Sequence, residues 1–151
     1  FDFKLTEGAN SGVKYFVNET YDSGMSAIGL EYQVLDDAKH PDAKLGTVGN
    51  RTLASLYDII PSNKLEPRFQ RKIGEWNQGR IIVYPNNIVQ HWLNGFKVIE
   101  YERKSNIFKV LVAHSKHAKW DGFGMQDKGP ILFQEHGDSV FYKNIKIREI
   151  K

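Results

Sequence analysis

Hydrophobic and polar positions alternate with a period of two along most of the chain. Apolar residues occupy every second position in residues 1–5, and the pattern returns in residues 13–17. Such alternation places one set of side chains on each face of a β-strand. Further strands are predicted over residues 30–35, 54–60, 80–84, 88–93, 130–134 and 140–150. This number of short strands, with few helices, indicates one all-β domain, an antiparallel sandwich or barrel.

Turn residues and two segments without strand alternation separate these predicted strands. Asn94 and Gly95 separate two alternating runs and predict a type I′ turn, because both central residues of that turn need a positive φ. Residues 85–87, Pro-Asn-Asn, predict a second hairpin. Residues 36–53 are polar and predict a long loop, a kind of segment that is often functional. Apolar residues at helical spacing predict one short helix around residues 105–117.

Composition narrows the function classes. The chain has 151 residues and no cysteine, which excludes disulfides, thiolate zinc sites and a cysteine nucleophile. Its 21 basic and 18 acidic residues give a net charge of +3, too even a balance to support nucleic-acid binding. No stretch has the roughly 18 apolar residues of a membrane span. The chain opens directly on a strand pattern, so we do not expect Phe1 to be the natural start.

The first candidate site lies on the strand predicted at residues 30–35. Glu31 and Gln33 are two apart, so they project from the same face, and Asp36 follows where the long loop begins. A carboxylate beside an amide can hold neighbouring sugar hydroxyls, or the carboxylate can act as an acid or base. The alternative interpretation is an ordinary solvated face of a sheet.

The second candidate site is the segment Gln134-Glu135-His136-Gly137-Asp138. Gln134 and His136 share a face at strand spacing, and Gly137 allows the backbone to turn. A histidine titrates near neutral pH and can serve as a general base. The alternative is a turn histidine that is hydrogen-bonded to nearby backbone.

His91 and the tryptophans are less specific signals. His91 and Trp92 are adjacent in a predicted strand and must point to opposite faces, and we expect Trp92 to lie in the core. Trp76 either fills core volume or offers its ring to a sugar.

Metal and phosphate motifs are weak or missing. His114 and His117 are three apart, but neighbouring lysines would oppose a helix-borne zinc ion. The sequence leaves open a metal site that combines His91, His136 and a carboxylate from distant strands. The aspartates of residues 36–42 could bind calcium, yet they lack EF-hand spacing. The sequence has no phosphate-binding loop and no serine-hydrolase elbow.

Seven short motifs occur in order along the chain: ANSGV (9–13), EYQVLDD (31–37), ASLYD (54–58), GEWN (74–77), HWLNG (91–95), QEHGD (134–138) and FYKNIKI (141–147). This series resembles the 3-keto-disaccharide hydrolase domain family, formerly a domain of unknown function. The resemblance implies a concanavalin A-like jelly roll, an antiparallel β-sandwich. It also implies that residues 1–151 form one such domain without its N-terminal strand or strands.

The family resemblance implies a hydrolase or lyase that acts on 3-keto-glycosides. A carbonyl at C3 acidifies the C2 proton, a base removes it, the oxygen at C1 leaves, and water adds. The base and acid implied are Glu31 and His136, in an order left open. The implied substrate-binding residues are Asn10, Gln33, Tyr57, His91, Gln134 and Lys143. Lys143, which stands where arginine is common in the family, or a divalent metal ion would stabilise the enolate.

The resemblance further implies an oligosaccharide or glycoside as the partner molecule, and a location in the periplasm or on the surface of a bacterium. Two alternatives stay open. A retaining glycosidase of this fold would show Glu-x-Asp-x-x-Glu, but here the stretch reads Glu31-x-Gln33-x-x-Asp36, which departs at two of three positions. A non-catalytic carbohydrate-binding domain would need no acid–base pair.

Overall fold

The computed structural model describes residues 1–21, 27–64 and 69–150. Within these residues the chain forms two antiparallel sheets and one α-helix, α1 (Asn106–Ala113). The strands are β1 (Asp2–Leu5), β2 (Asn10–Asn18), β3 (Ile28–Leu35), β4 (Asn77–Val83), β5 (Ile88–Leu93), β6 (Phe96–Glu102), β7 (Leu132–Gln134) and β8 (Val140–Lys143). One sheet has the order β6-β5-β4-β1-β8, and the other has the order β3-β2-β7. The predicted β-sandwich is confirmed, and the barrel alternative is wrong.

The core lies between the two sheets and continues beneath the helix. Phe3 of β1 packs with Tyr32 and Val34 of β3, and all three side chains are buried. Phe108 and Val112 of α1 close the second part of the core. The helix therefore buries one face, as its apolar spacing predicts.

The register of the small sheet decides which side chains leave the core. Gly12 of β2 lies opposite Gln33 on one side and Gln134 on the other. Lys14 lies opposite Glu31. Because side chains alternate along a strand, these residues all project from the face that points away from the five-stranded sheet. That face carries the candidate site.

The hairpin turn between β5 and β6 follows the prediction. Asn94 has φ 50° and Gly95 has φ 85°, so both central residues adopt the positive φ that a type I′ turn needs. The Asn94 side chain also donates a hydrogen bond to Asn77 Oδ1 at 2.8 Å. The turn therefore fixes the hairpin to the start of β4.

Two strand predictions need correction. Residues 54–60 form consecutive turns rather than a strand, since Ala54 and Asp58 have φ values of 63° and 62°. Only isolated bridges involve this segment, at Leu56. The last predicted strand, 140–150, ends at Lys143, and Asn144 turns away with φ 50°.

Among the described residues, no helix has the length and apolar character needed to cross a membrane.

Candidate active site

A cavity of about 330 Å³ lies over the outward face of the three-stranded sheet. We call it the cleft. Its floor comes from β2, β3 and β7, and its wall comes from Tyr57 and from the segment 116–120. Six of the predicted site residues line it together, namely Asn10, Glu31, Gln33, Tyr57, Gln134 and His136. The strand alternation and the sheet register bring them to one place.

Glu31 occupies the floor of the cleft, where it is only 6% exposed. Gly12 makes room for it, because a Cβ atom built on Gly12 would lie 2.2 Å from Glu31 Oε1. Burial raises the pKa of Glu31 to about 7, although Lys14 and Lys116 act in the opposite direction. The carboxyl group therefore exchanges its proton near neutral pH.

Lys14, on the neighbouring strand β2, forms an ion pair with the Glu31 carboxylate. Its Nζ lies 4.0 Å from Glu31 Oε2 and donates a hydrogen bond to the Ala27 carbonyl at 3.0 Å. Both side chains of the pair are 7% exposed. Sequence reasoning missed Lys14, although its spacing from Asn10 on an alternating strand places both on the cleft side.

Two amides complete the floor. With the amide of Gln33 oriented so that both of its atoms have partners, Nε2 donates to Glu31 Oε1 and to the Ser11 carbonyl, each at 3.1 Å. Oε1 of Gln134 is buried and has no hydrogen-bond partner among the described residues. A buried acceptor without a partner is costly unless a ligand or water satisfies it. Gln134 is therefore ready to accept a hydrogen bond from a bound hydroxyl.

His136 lies at the rim of the cleft and is more exposed than Glu31. Partial burial and then the charge of Lys14 lower the pKa of His136, while Asp138 and Glu135 oppose this change. The imidazole is thus mainly neutral at pH 7. The Asp138 carboxylate accepts a hydrogen bond from the Asn10 backbone N–H at 3.1 Å, which ties the His136 segment to β2.

A network of charged side chains fixes the wall. Arg51 Nε donates to Asp58 Oδ1 at 2.5 Å, and Arg51 Nη1 donates to Asp42 Oδ1 at 2.9 Å. The Tyr57 hydroxyl donates to Asp42 Oδ2 at 2.8 Å, and Asp58 Oδ2 accepts the Lys116 backbone N–H at 2.7 Å. Tyr57 thus contributes its ring to the cleft while its hydroxyl is bound to Asp42.

His117 adds an imidazole to the wall that the sequence did not single out as a cleft residue. Its ring stacks on Phe123 with 4.2 Å between centroids. Burial lowers the pKa of His117 to about 4, and Lys116 acts in the same direction. His117 is therefore neutral at physiological pH. No spacing signal reveals its position, because the 3-10 helix that carries it (Lys116–Lys119) reaches the cleft only through tertiary packing.

His91 and Lys143 do not reach the cleft, so we remove both from the candidate site. His91 is 0% exposed, and its ring nitrogens bond with the Tyr15 hydroxyl at 2.8 Å and the Ala54 carbonyl at 3.0 Å. His91 therefore lies in the core, where we expected Trp92. Trp92 is instead half-buried.

Lys143 belongs to the opposite side of the molecule. It lies on the outer face of the five-stranded sheet, where its Nζ is 3.9 Å from the ring centroid of Trp76. Trp76 is 37% exposed on this surface, so it is neither core nor part of the cleft.

Comparison with known proteins assigns the chain to a family. Residues 1–148 match the family model described as the 3-keto-alpha-glucoside-1,2-lyase-like domain. The chain belongs to this family. A 3-keto-disaccharide hydrolase of Bacteroides thetaiotaomicron is 35% identical over 166 aligned positions, which cover 97% of this chain and 56% of that protein. This member of the lyase-like family therefore spans little more than half the length of that relative.

Solved structures share the architecture of this lyase-like domain. A Parabacteroides distasonis protein proposed to be a glycosyl hydrolase superposes with a TM-score of 0.77 and 26% identity, over 95% of this chain and 66% of that chain. A second protein of the same organism, also proposed to be a glycosyl hydrolase, gives a TM-score of 0.58 and 25% identity, over 92% and 70% of the two chains.

The described part of the lyase-like domain places no pair of carboxylates, as a retaining glycosidase needs, in the cleft. Asp36 is buried outside the cleft, and its carboxylate accepts backbone N–H groups from Gly8 at 2.8 Å and Ala38 at 3.0 Å. Among the described residues that line the cleft, Glu31 is the sole carboxylate. Because that mechanism needs two carboxyl groups about 5 Å apart, this arrangement disfavours it.

The donor set of the cleft does not fit a divalent cation. No group of three or more His, Cys, Asp or Glu side chains in the described part of the chain is arranged to hold a metal ion. Lys14, Lys116 and Lys119 line the cleft beside Glu31, and their positive charge would oppose such an ion. Asp37 pairs with Lys64 and Asp42 pairs with Arg51, so these two carboxylates are already bound to cations.

Proposed function

We propose that this chain carries the catalytic cleft of an enzyme that hydrolyses 3-keto-glycosides by elimination and hydration. The observation that carries the proposal is that Glu31 and His136 line one cleft together with the amides of Gln33 and Gln134. The Bacteroides relative is named a 3-keto-disaccharide hydrolase, which supports the substrate class. The family description, a 3-keto-alpha-glucoside-1,2-lyase-like domain, supports an elimination step.

The proposed reaction has three steps. A base takes the proton from C2, and the electron pair forms a C2–C3 double bond as the C3 carbonyl becomes an enolate. The enolate then re-forms the carbonyl, a C1–C2 double bond appears, and the C1–O bond breaks while an acid protonates the leaving oxygen. Finally, water adds its oxygen to C1 and a proton to C2. The net change is hydrolysis of the glycosidic bond.

We assign the base to His136 and the acid to Glu31 from their protonation states. A His136 pKa below its ordinary value leaves the imidazole free to accept a proton at pH 7. A Glu31 pKa of about 7 leaves a large share of the carboxyl groups protonated at that pH. Activity should therefore rise as His136 loses its proton and fall as Glu31 loses its own.

The test compares 4-nitrophenyl 3-keto-α-glucoside with the unoxidised 4-nitrophenyl α-glucoside in heavy water. We expect release of 4-nitrophenol from the oxidised sugar alone, with deuterium incorporated at C2. Cleavage of the unoxidised sugar would support a conventional glycosidase, and binding of either sugar without turnover would support a carbohydrate-binding domain. Retention of the C2 proton during turnover would overturn the elimination.

Variants then separate the two roles. His136→Asn should lose both deuterium exchange at C2 and turnover, by about 100-fold or more. Glu31→Gln should lose turnover of a methyl 3-keto-glucoside but retain much of it with 4-nitrophenolate, which leaves without acid assistance. The exposed variant His114→Asn serves as the matched control and should keep wild-type rates. The opposite pattern for the two site variants would reverse the assignment.

A further inference from the structure

The cleft holds more positive than negative charge. Lys14, Lys116 and Lys119 line it, and Glu31 is the one carboxylate among its described lining residues. Lys14 is already engaged by Glu31 and by the Ala27 carbonyl. The Lys116 ammonium forms no ion pair with the described residues, although the charges of Glu31, Asp42 and Asp58 act on it. A cation of this kind facing a cavity is suited to an anionic ligand or intermediate.

Lys116 is held in place through its backbone and through the Tyr57 ring. Its backbone N–H is bound by Asp58, and its Nζ lies 3.9 Å from the centroid of the Tyr57 ring. Arg51 and Asp42 fix Asp58 and the Tyr57 hydroxyl in turn. One network thus positions the Lys116 backbone and the Tyr57 ring, and the ammonium N–H groups that do not face the ring stay available to a ligand.

The proposed reaction generates an anion that needs such a group. Removal of the C2 proton places negative charge on the oxygen at C3, and positioned cationic donors lower the barrier to that step. The donor set of the cleft does not suit a divalent ion, and Lys143 is on the far side of the molecule. We propose that the Lys116 ammonium binds and stabilises the C3 oxyanion of the sugar in the cleft. It keeps its proton throughout and donates hydrogen bonds only.

This inference rests on the proposed function, from which it takes the identity of the sugar. Kinetic measurements on the 3-keto-glucoside therefore test the inference and the proposed function together. Lys116→Met should lower kcat for the 3-keto-glucoside by about 100-fold and change KM by less than about threefold. Lys109→Met, an exposed lysine on α1, is the matched control and should match wild type. Added methylammonium should restore part of the activity of Lys116→Ala, which repair of a merely structural defect would not do. A chelator such as EDTA should leave the wild-type rate unchanged.

Binding of ascorbate separates the inference from the proposed substrate. Ascorbate is a stable sugar-like enediolate, so it mimics the charge of the intermediate without requiring turnover. Calorimetry under nitrogen should show weaker binding to Lys116→Met by about tenfold or more, with Lys109→Met equal to wild type. Circular dichroism checks that both variants fold.

The two failures are distinguishable. If the wild-type chain binds ascorbate through Lys116 but turns over no 3-keto-glycoside, the proposed substrate is wrong and the oxyanion site stands. If wild type does not bind ascorbate, or Lys116→Met binds it equally well, the inference is overturned. A kcat of Lys116→Met within threefold of wild type would overturn it as well.

Discussion

The substitution Gly12→Ala tests the geometry of the cleft floor most directly. The added methyl group would lie 2.2 Å from Glu31 Oε1, whereas ordinary contact begins at 3.4 Å, so the oxygen must move by about 1.2 Å. The three nearest atoms are Oε1, Cδ and Cγ of Glu31, at 2.2, 2.8 and 2.9 Å, so the Glu31 side chain must shift from Cγ outward. A displacement of about 1 Å of a reacting group costs about 100-fold in rate. We expect kcat to fall by that order.

Stability should change little in the same variant. Gly12 lies within β2 and is not among the glycines with positive φ, so alanine fits the backbone. Replacement of glycine by alanine in a strand stabilises by roughly 0.5–1 kcal/mol, which offsets part of the cost of moving Glu31. The melting temperature should therefore stay within about 4 °C of wild type.

The assay is a double-mutant cycle with Glu31→Ala, followed by thermal unfolding and by turnover of the 3-keto-glucoside. In the Glu31→Ala background the new methyl group meets no carboxylate, so Gly12→Ala should have no further effect on rate. NMR of labelled glutamate should show the Glu31 pKa falling from about 7 toward its ordinary value as the group moves toward solvent. A Gly12→Ala variant with more than half the wild-type kcat would refute this account of the floor, as would unfolding.

Two further predictions concern pH. Lys14→Met removes the cation that lies 4.0 Å from Glu31 Oε2, so the pKa of Glu31 should rise above about 7. The pH at which activity is lost on the alkaline side should then rise by about one unit. An unchanged pH–rate profile would contradict this. His91 has a folded-state pKa of about 4 against an ordinary 6.5, so its contribution of about 3 kcal/mol is complete above pH 6.5 and is lost as pH falls toward 4. Denaturant unfolding should show a shallower loss over this window in His91→Gln, with His117 and His136 contributing to the remaining slope, and a slope equal to that of wild type would contradict this account.

Strand alternation predicted that Glu31 and Gln33 share one face, and the family resemblance placed them in one site with Gln134. Glu31 and Gln33 project together because they are two apart, and Gln134 joins them through the register with Gly12. The hairpin at Asn94 was predictable because its turn type has a steric cause. The shared face of Glu31 and Gln33 and the hairpin turn depend on local rules, whereas the pairing of Gly12 with Gln134 joins distant segments. The single domain and the periplasmic or surface location stay predictions.

The wall of the cleft was not predictable in the same way. Lys116 and His117 lie on a short helical turn whose place depends on Asp58, a residue 58 positions earlier. Alternation also could not decide whether His91 or Trp92 enters the core. His91 does so because Tyr15 and Ala54 satisfy both ring nitrogens, and partners so distant leave no local pattern.

The long irregular segment that supports the wall has a consequence for dynamics. The backbone N–H groups of Leu53, Ala54 and Asp58 each donate to an acceptor inside the fold, at 2.6, 2.8 and 2.8 Å. Their exchange with deuterated solvent therefore requires opening of packed structure, as it does in a central strand. We therefore expect this stretch, which has the connectivity of a loop, to exchange its amide hydrogens as slowly as a sheet, so that the cleft keeps a rigid wall.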